Sequence, residues 1–305
     1  SLLGGYTGLS HIVLPVPGVL AADAVGEGNE NGEDAHGGQN PAVPHIGQDI
    51  YGVHGHAVYR GEAGGSQQLG APGDHALKHT ENMIAEGADI LDIGGESTRP
   101  GHTPVNAQEE IERVLPVIEA VKKRFDIPIS VDTYKGCVAE ESLKNGADLI
   151  NDIWGLKYDP EMAPVIAKYN APCCLMHNKD NTEYNNFIVD MLAETQECVN
   201  IAKRAGIADD KIILDPGVGF GKNYEMNLMT MNNLELFQKL GYPVLLGTSR
   251  KSMIGLTLDL PVDQRVEGTL ATTVIGIMKG CAFVRVHDIK ENKRVIQMTE
   301  AILGR

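Results

Sequence analysis

CVAEESLKNGADLIND, residues 137–152, is the stretch on which the fold turns: an amphipathic run stops at Asn145–Gly146 and an apolar run starts just after. A glycine closing such a run reads as a left-handed helix stop, and the apolar residues beyond it as a buried strand. The same order occurs upstream, where HALKHTENMIAEG (75–87) feeds ADILDI (88–93), so that EGADIL echoes NGADLI. A helix that ends on glycine and hands the chain to a buried strand is half of a βαβ unit.

Working outward, further strands are expected at 128–132 (PISVD), 173–177 (CCLMH), 211–215 (KIILD), 243–247 (PVLLG) and 282–286 (AFVRV). With 89–93 and 148–151 they make seven. Helical spacing of apolar residues predicts helices over 75–87, 107–124, 135–145, 160–169, 186–205, 229–240, 263–279 and 290–302. Seven consecutive βα units exceed what a typical doubly wound sheet needs and fall one short of a closed (β/α)8 barrel. The expected fold class is therefore α/β, a TIM barrel, with strand 1 missing or replaced in the residues before 74.

Those residues differ in kind from the rest. Residues 1–73 hold 17 of the 35 glycines and five of the ten histidines, one arginine, and no lysine, phenylalanine, methionine or cysteine, whereas all 16 lysines follow residue 77. Two parts are expected. Residues 1–73 form an atypical Gly-rich N-terminal segment, either disordered because so much glycine carries a large ordering entropy or translated from a shifted frame; residues 74–305 form the barrel domain. A formal net charge of -15 argues against nucleic acid or an anionic membrane as the main partner and for a small molecule. Five cysteines, odd in number and without a C-x-x-C pair, suit the cytoplasm better than a disulfide framework. The apolar opening of the chain has no basic residue and is interrupted by Pro15 and Pro17, so it does not read as a signal peptide. No apolar run approaches the roughly 18–20 residues needed to span a bilayer.

Every expected strand runs straight into polar or glycine-rich residues: GGESTRPG (94–101), DTYK (132–135), ND (151–152), HNKDN (177–181), DPGVGFGK (215–222), GTSRKS (247–252) and RVHD (285–288). In a barrel these gather on one face, where binding and catalytic groups collect. DPGVGFGK is not a P-loop, because Asn223 follows its lysine, and its glycines do not fit the dinucleotide fingerprint. They instead let backbone approach a flat ligand, with Phe220 available to stack. Arg285 and His287, two apart at a strand end, share one side of the backbone and suit a phosphate or pyrophosphate. Ser97 and Thr98 offer hydroxyls from the first of these loops, and Lys251 and Ser252 either cap a helix or donate to an anion. Asp132, Asn151 and Asp215 suit a heterocycle with an amino edge and an amidine-like N–H, such as a pterin or guanine. A second reading groups Asp132 and Asp215 with His177 around a divalent ion; Cys174 and Trp154 read as packing residues.

At these residues the chain resembles the dihydropteroate synthases of the pterin-binding barrel family, over about residues 74–302. GGESTRPG, SVDTYK, INDI, LMH, DPGVGFGK, GTSRKS and RVHD occur in the family's order. The resemblance implies condensation of 6-hydroxymethyl-7,8-dihydropterin diphosphate with p-aminobenzoate to 7,8-dihydropteroate and pyrophosphate, in folate biosynthesis. It implies that Asp132, Asn151, Asp215 and Lys251 hold the pterin, with Ile153, Met176 and Gly247 lining its slot, and that Asp132, Asp215 and Lys251 act in catalysis. Thr98, Arg285 and His287 would hold the diphosphate. Ser97, Thr98, Arg99, Pro100, Phe220 and Ser252 would bound the aminobenzoate pocket.

The family also implies Mg²⁺ as cofactor and a homodimer, with the helices after 263 as candidates for its interface. Its first strand ends in an N-V-T-P-D-S-F-S-D-G-like loop whose Asn and Asp serve the Mg²⁺-diphosphate site. Residues 1–73 match neither that strand nor that loop, and HGHAVYRGEAGG (54–65) supplies none of those residues in order, so the metal ligands stay unassigned. Two other readings are a catalytically impaired pterin-binding protein and a relative of the methyltetrahydrofolate corrinoid methyltransferases. The second is disfavoured by ESTRPG, SRKS and RVHD, since that reaction has no diphosphate to hold.

Overall fold

The computed structural model describes residues 11–15, 72–96 and 104–304. In chain order its elements are β1 (His11–Pro15), α1 (Pro72–Ala85), β2 (Leu91–Gly94), α2 (Ala107–Arg124), β3 (Ile129–Asp132), α3 (Gly136–Lys144), β4 (Leu149–Asp152) and α4 (Met162–Lys168). Then follow β5 (Cys173–Met176), α5 (Phe187–Arg204), β6 (Ile212–Asp215), α6 (Tyr224–Asn232), α7 (Glu235–Gln238), β7 (Leu245–Leu246), α8 (Ser252–Leu258), α9 (Val266–Met278), β8 (Phe283–Val286) and α10 (Ile289–Leu303).

Both glycines of the echoed stop are left-handed, Gly87 at φ +104° and Gly146 at φ +101°. The aspartate after each ties the new strand to its surroundings. Asp148 Oδ2 accepts from the Ile129 N–H at 2.7 Å and from Lys122 Nζ at 2.5 Å, and Asp89 accepts from Lys293 Nζ at 2.9 Å. The next helix starts cleanly because Asn106 caps it, accepting from the Glu109 N–H at 2.9 Å. Acidic Glu109 and Glu110 in its first turn and Lys122, Lys123 and Arg124 in its last complement the helix dipole.

The sheet runs in the order β6-β5-β4-β3-β2-β1-β8-β7, and a parallel bridge between Leu214 and Val244 joins β6 to the approach of β7, linking the two ends of the row. β2 to β6 pair in parallel, as do β7 and β8. Every residue of β2 through β7 is buried, as expected of barrel strands covered by side chains within and helices without. The slot between β2 and β8 is filled by β1, which runs antiparallel to both, pairing Ile12 with Leu91 and Val286. A gap in a barrel leaves two rows of unpaired backbone groups, and an extended segment of either direction can satisfy them.

The helices depart from expectation in two places. The single helix expected over 229–240 is two, α6 and α7: Asn223 starts α6 early by accepting from the Met226 N–H at 2.9 Å, and the chain leaves helical geometry at Asn233. The seven-residue α8 was expected only as a helix start at Lys251–Ser252; it is too short to show a helical period and stops at Asp259, left-handed at φ 54°.

Candidate active site

Strand register brings the polar strand ends together. Asp132 at the end of β3 pairs with Asn151 in β4, and Met176 at the end of β5 pairs with Asp215 at the end of β6; all four are buried. Gly247 follows β7 directly. A Cβ built there would stand 3.7 Å from Asp215 Oδ2 and 3.8 Å from Arg285 Cβ, so Gly247 lies against both that carboxylate and the β8 arginine. Beside it, Tyr134, Ile153 and Met176 form an apolar cluster separate from the main core, with Trp154 and Phe220 packed against it. An apolar cluster next to buried carboxylates is the setting an aromatic heterocycle requires.

Arg285 is the electrostatic centre. Its Nε and Nη2 donate to Asp92 Oδ2 at 3.0 and 2.6 Å, and Nη2 also donates to Asp132 Oδ2. Burial works to discharge the guanidinium, but the two carboxylates outweigh it and hold the cation firmly protonated. Asp215 is pushed above the usual carboxylate range by burial, partly offset by Lys251 and by the Gly217 N–H, which donates to its Oδ1 at 2.7 Å. Lys251 Nζ donates to the Val218 carbonyl and lies 4.8 Å from the centre of the Phe220 ring.

The glycine loop 215–222 is clasped from beneath by its own lysine. Lys222 Nζ donates to the carbonyls of Gly217 and Phe220 at 3.0 Å each and meets His177 Nδ1 at 2.9 Å. His177 Nε2 meets Glu194 Oε2 at 2.9 Å. Burial lowers Lys222 to about 7 and, with Lys222 beside it, lowers His177 to about 2, so the imidazole stays neutral. Both ring nitrogens of His177 are thus engaged, which removes it from the divalent-ion grouping with Asp132 and Asp215. Among the described residues no group of three histidine, cysteine, aspartate or glutamate side chains could hold a metal ion.

On the far side of β8, the Ser249 hydroxyl accepts from the His287 N–H at 3.0 Å and lies 2.8 Å from Nδ1, fixing the ring. Arg250 forks onto Asp288, with Nε 3.0 Å from Oδ2 and Nη2 2.5 Å from Oδ1. Ser252 stands exposed at the start of α8. Ser97, Thr98, Arg99 and Pro100 lie outside the described residues. Sequence reasoning missed Asp92, Ser249 and Lys222; only Asp92 carried a signal, an acid inside an otherwise apolar strand.

A row of eight mainly parallel strands, with buried carboxylates, an arginine and an apolar cluster at their C-terminal ends, defines a barrel enzyme for a small polar heterocycle. The chain belongs to the pterin binding enzyme family, whose profile matches residues 67–287. It is 64% identical over 233 residues to the dihydropteroate synthase of Clostridium beijerinckii, covering 76% of this chain and 87% of that one. The Bacillus subtilis dihydropteroate synthase is 55% identical over 232 residues, covering 76% and 81%. Among solved structures, a Clostridium difficile dihydropteroate synthase crystallised with pteroic acid superposes with a TM-score of 0.75 at 50% identity, covering 76% of this chain and 89% of that one. Within the family the chain thus sits with the dihydropteroate synthases, transferases of folate biosynthesis.

Proposed function

We propose that this chain joins 6-hydroxymethyl-7,8-dihydropterin diphosphate to p-aminobenzoate, and that the observation carrying the site assignment is the meeting of buried Asp132, Asn151, Met176 and Asp215 at the strand ends, with Gly247 between Asp215 Oδ2 and Arg285. Asp215 accepts from the amino and N–H edge of the pterin, Asn151 reads its remaining edge, and Lys251 donates from above. Asp132 acts through Arg285, which it shares with Asp92. The methylene carbon loses pyrophosphate and takes the aryl amine, so the residues work by holding charge and aligning the two reactants. Arg285, His287 and Thr98 receive the diphosphate; Ser97 to Pro100, Phe220 and Ser252 bound the aminobenzoate.

Mg²⁺ is the cofactor this reading implies, yet the described residues do not form a site for it: Oδ2 of Asp92 and of Asp132 is held by Arg285, and no three-donor group exists among them. No step is therefore assigned to the ion. A homodimer is supported by apolar side chains left exposed on α9 and α10, Ile275, Met278, Met298 and Ile302. A cytoplasmic setting is supported by five free cysteines. No helix among the described residues is long and apolar enough to cross a membrane.

The test is pyrophosphate release from the full chain with both substrates and Mg²⁺. Release that requires p-aminobenzoate and yields dihydropteroate is expected. Methyl transfer from methyltetrahydrofolate to a corrinoid, with no pyrophosphate formed, would reverse the reading.

A further inference from the structure

In the loop after β6, Gly217, Val218, Phe220 and Gly221 each have their carbonyl held by a side chain. Lys222 Nζ takes those of Gly217 and Phe220, Lys251 Nζ that of Val218, and the Tyr184 hydroxyl donates to that of Gly221 at 2.7 Å. Lys222 differs from the other two in being buried, at 9% exposure. A protonated amine has three hydrogens to give, and this one meets three acceptors, the two carbonyls at 3.0 Å and His177 Nδ1 at 2.9 Å. None of these acceptors is charged. The nearest carboxylate in the chain of contacts is one residue removed, where His177 Nε2 meets Glu194 Oε2 at 2.9 Å, and Lys179 Nζ holds the other oxygen of Glu194 at 3.1 Å.

Burying an amine is costly, and the turn at Asp215 does not require it. That turn is held independently: the His177 N–H donates to the Asp215 carbonyl at 2.9 Å beside the β5–β6 pairing, and the Gly217 N–H donates to the carboxylate at 2.7 Å. Phe220, farther along, is different. Its N–H donates to the Gly217 carbonyl at 3.0 Å, the same oxygen that Lys222 holds, and its own carbonyl accepts from Lys222. Both backbone groups that set Phe220 therefore run through one amine. The ring so placed packs against the Tyr134, Ile153 and Met176 cluster and lies 4.8 Å from Lys251 Nζ.

We propose that Lys222 is a positioning residue for the synthase reaction: from beneath the 215–222 loop it fixes Phe220, and through that ring the p-aminobenzoate, while the pterin is left to Asp215 and the strand ends. This rests on the reading that Phe220 bounds the aminobenzoate pocket. Lys222 itself touches no substrate. Of the two lysines that grip this loop, Lys251 is assigned to the pterin and Lys222 to the backbone that carries Phe220, so the two substrates should respond separately to its loss.

The experiment uses the full chain and calorimetry, which does not depend on turnover: p-aminobenzoate is titrated into protein holding 6-hydroxymethylpterin and pyrophosphate, and 6-hydroxymethylpterin is titrated alone. Lys222→Met keeps a buried stem and removes the donors. It is expected to weaken p-aminobenzoate binding by about tenfold while pterin affinity changes by less than about threefold, as the loss of hydrogen bonds from a charged donor to a ligand-bearing loop predicts. Lys222→Ala leaves room for n-propylammonium, so adding that amine should restore p-aminobenzoate affinity in proportion to its occupancy, and titrations run in its presence keep the test available where the methionine variant fails to fold. Equal weakening of both ligands, unchanged p-aminobenzoate affinity in folded Lys222→Met, or no recovery with n-propylammonium would each overturn the proposal. Phe220→Ala separates the two claims: if it leaves p-aminobenzoate binding intact, the pocket assignment is wrong and the proposal falls with it, and if it weakens binding while Lys222→Met does not, only the grip from Lys222 is wrong.

Discussion

Two buried residues at the strand ends respond to substitution in opposite regimes. Asp215 offers one oxygen to Gly217 and turns the other toward Gly247. Asp215→Ala should remove the pterin's charged acceptor and lower its affinity by about a hundredfold, read by calorimetry; unchanged affinity would take Asp215 out of the site. His177 acts on stability instead. Burial, then Lys222, lowers its folded-state pKa to about 2, while the unfolded chain takes up a proton near 6.5. Between those values the unfolded state binds more protons, so the stability held above about 6.5 is lost as pH falls through that window. Lys222, lowered to about 7, changes the proton balance only above about 7 and does not obscure it. His177→Gln, which keeps an acceptor for Lys222, should flatten the fall in urea midpoint between about pH 6.5 and 4.5. An identical slope in the two proteins would show that the buried imidazole is not the source.

At the scale of elements, the 215–222 loop shows how a turn is fixed by what it cannot accommodate. Gly217 sits at φ +65°, and a Cβ there would fall 1.9 Å from the His177 carbonyl oxygen. Gly217→Ala should therefore cost about 3 kcal/mol and break the bond to Asp215. Gly206→Ala, at φ +90° but with nothing within 4 Å of the new Cβ, should cost about 1 kcal/mol. Comparable melting temperatures for the two would defeat the steric account. The elements most legible in the sequence were those with two agreeing signals: the helix over 107–124 has an apolar stripe, an Asn cap and charges sorted along its dipole. Residues 229–240 carried only a stripe, and a stripe does not reveal that Asn223 starts a helix early or that Asn233 ends it. The strand ends were readable because chemistry collects there, which placed Asp132, Asn151, Met176 and Asp215 at one mouth. The partners that orient them were not: Asp92 and Arg285 are 193 residues apart, and Lys222 and His177 are 45. Spacing in the sequence carries no information about such pairs.

For the whole molecule, the direction of β1 decides how much of the site this chain can build. His11 pairs with Asp92 near the end of β2, whereas Pro15 pairs with Phe283 at the start of β8. The chain therefore leaves β1 at the face opposite Asp132, Asp215 and Arg285. A parallel first strand would deliver the next residues directly to the catalytic face, as every other strand here does, whereas this one starts near that face and ends at the opposite one. The sequence agrees, since no N-V-T-P-D-S-F-S-D-G-like stretch occurs in residues 1–73 and the family match begins at residue 67. The pterin side depends on β3 to β8 and should bind its ligand, while the first-loop residues that the family resemblance implies for the diphosphate have no counterpart in residues 1–73. Pyrophosphate release by this chain should accordingly be about a hundredfold slower than by a chimera in which residues 1–71 are replaced with a parallel first strand ending in an N-V-T-P-D-S-F-S-D-G loop, because one set of preorganised polar groups on the leaving group is worth about that factor. Pterin affinity should differ between the two by less than about threefold, as expected when the lost groups act mainly on the transition state. If the unaltered chain turns over as fast as the chimera, the slot between β2 and β8 has no bearing on catalysis, and the leaving group must be held entirely by residues downstream of β2.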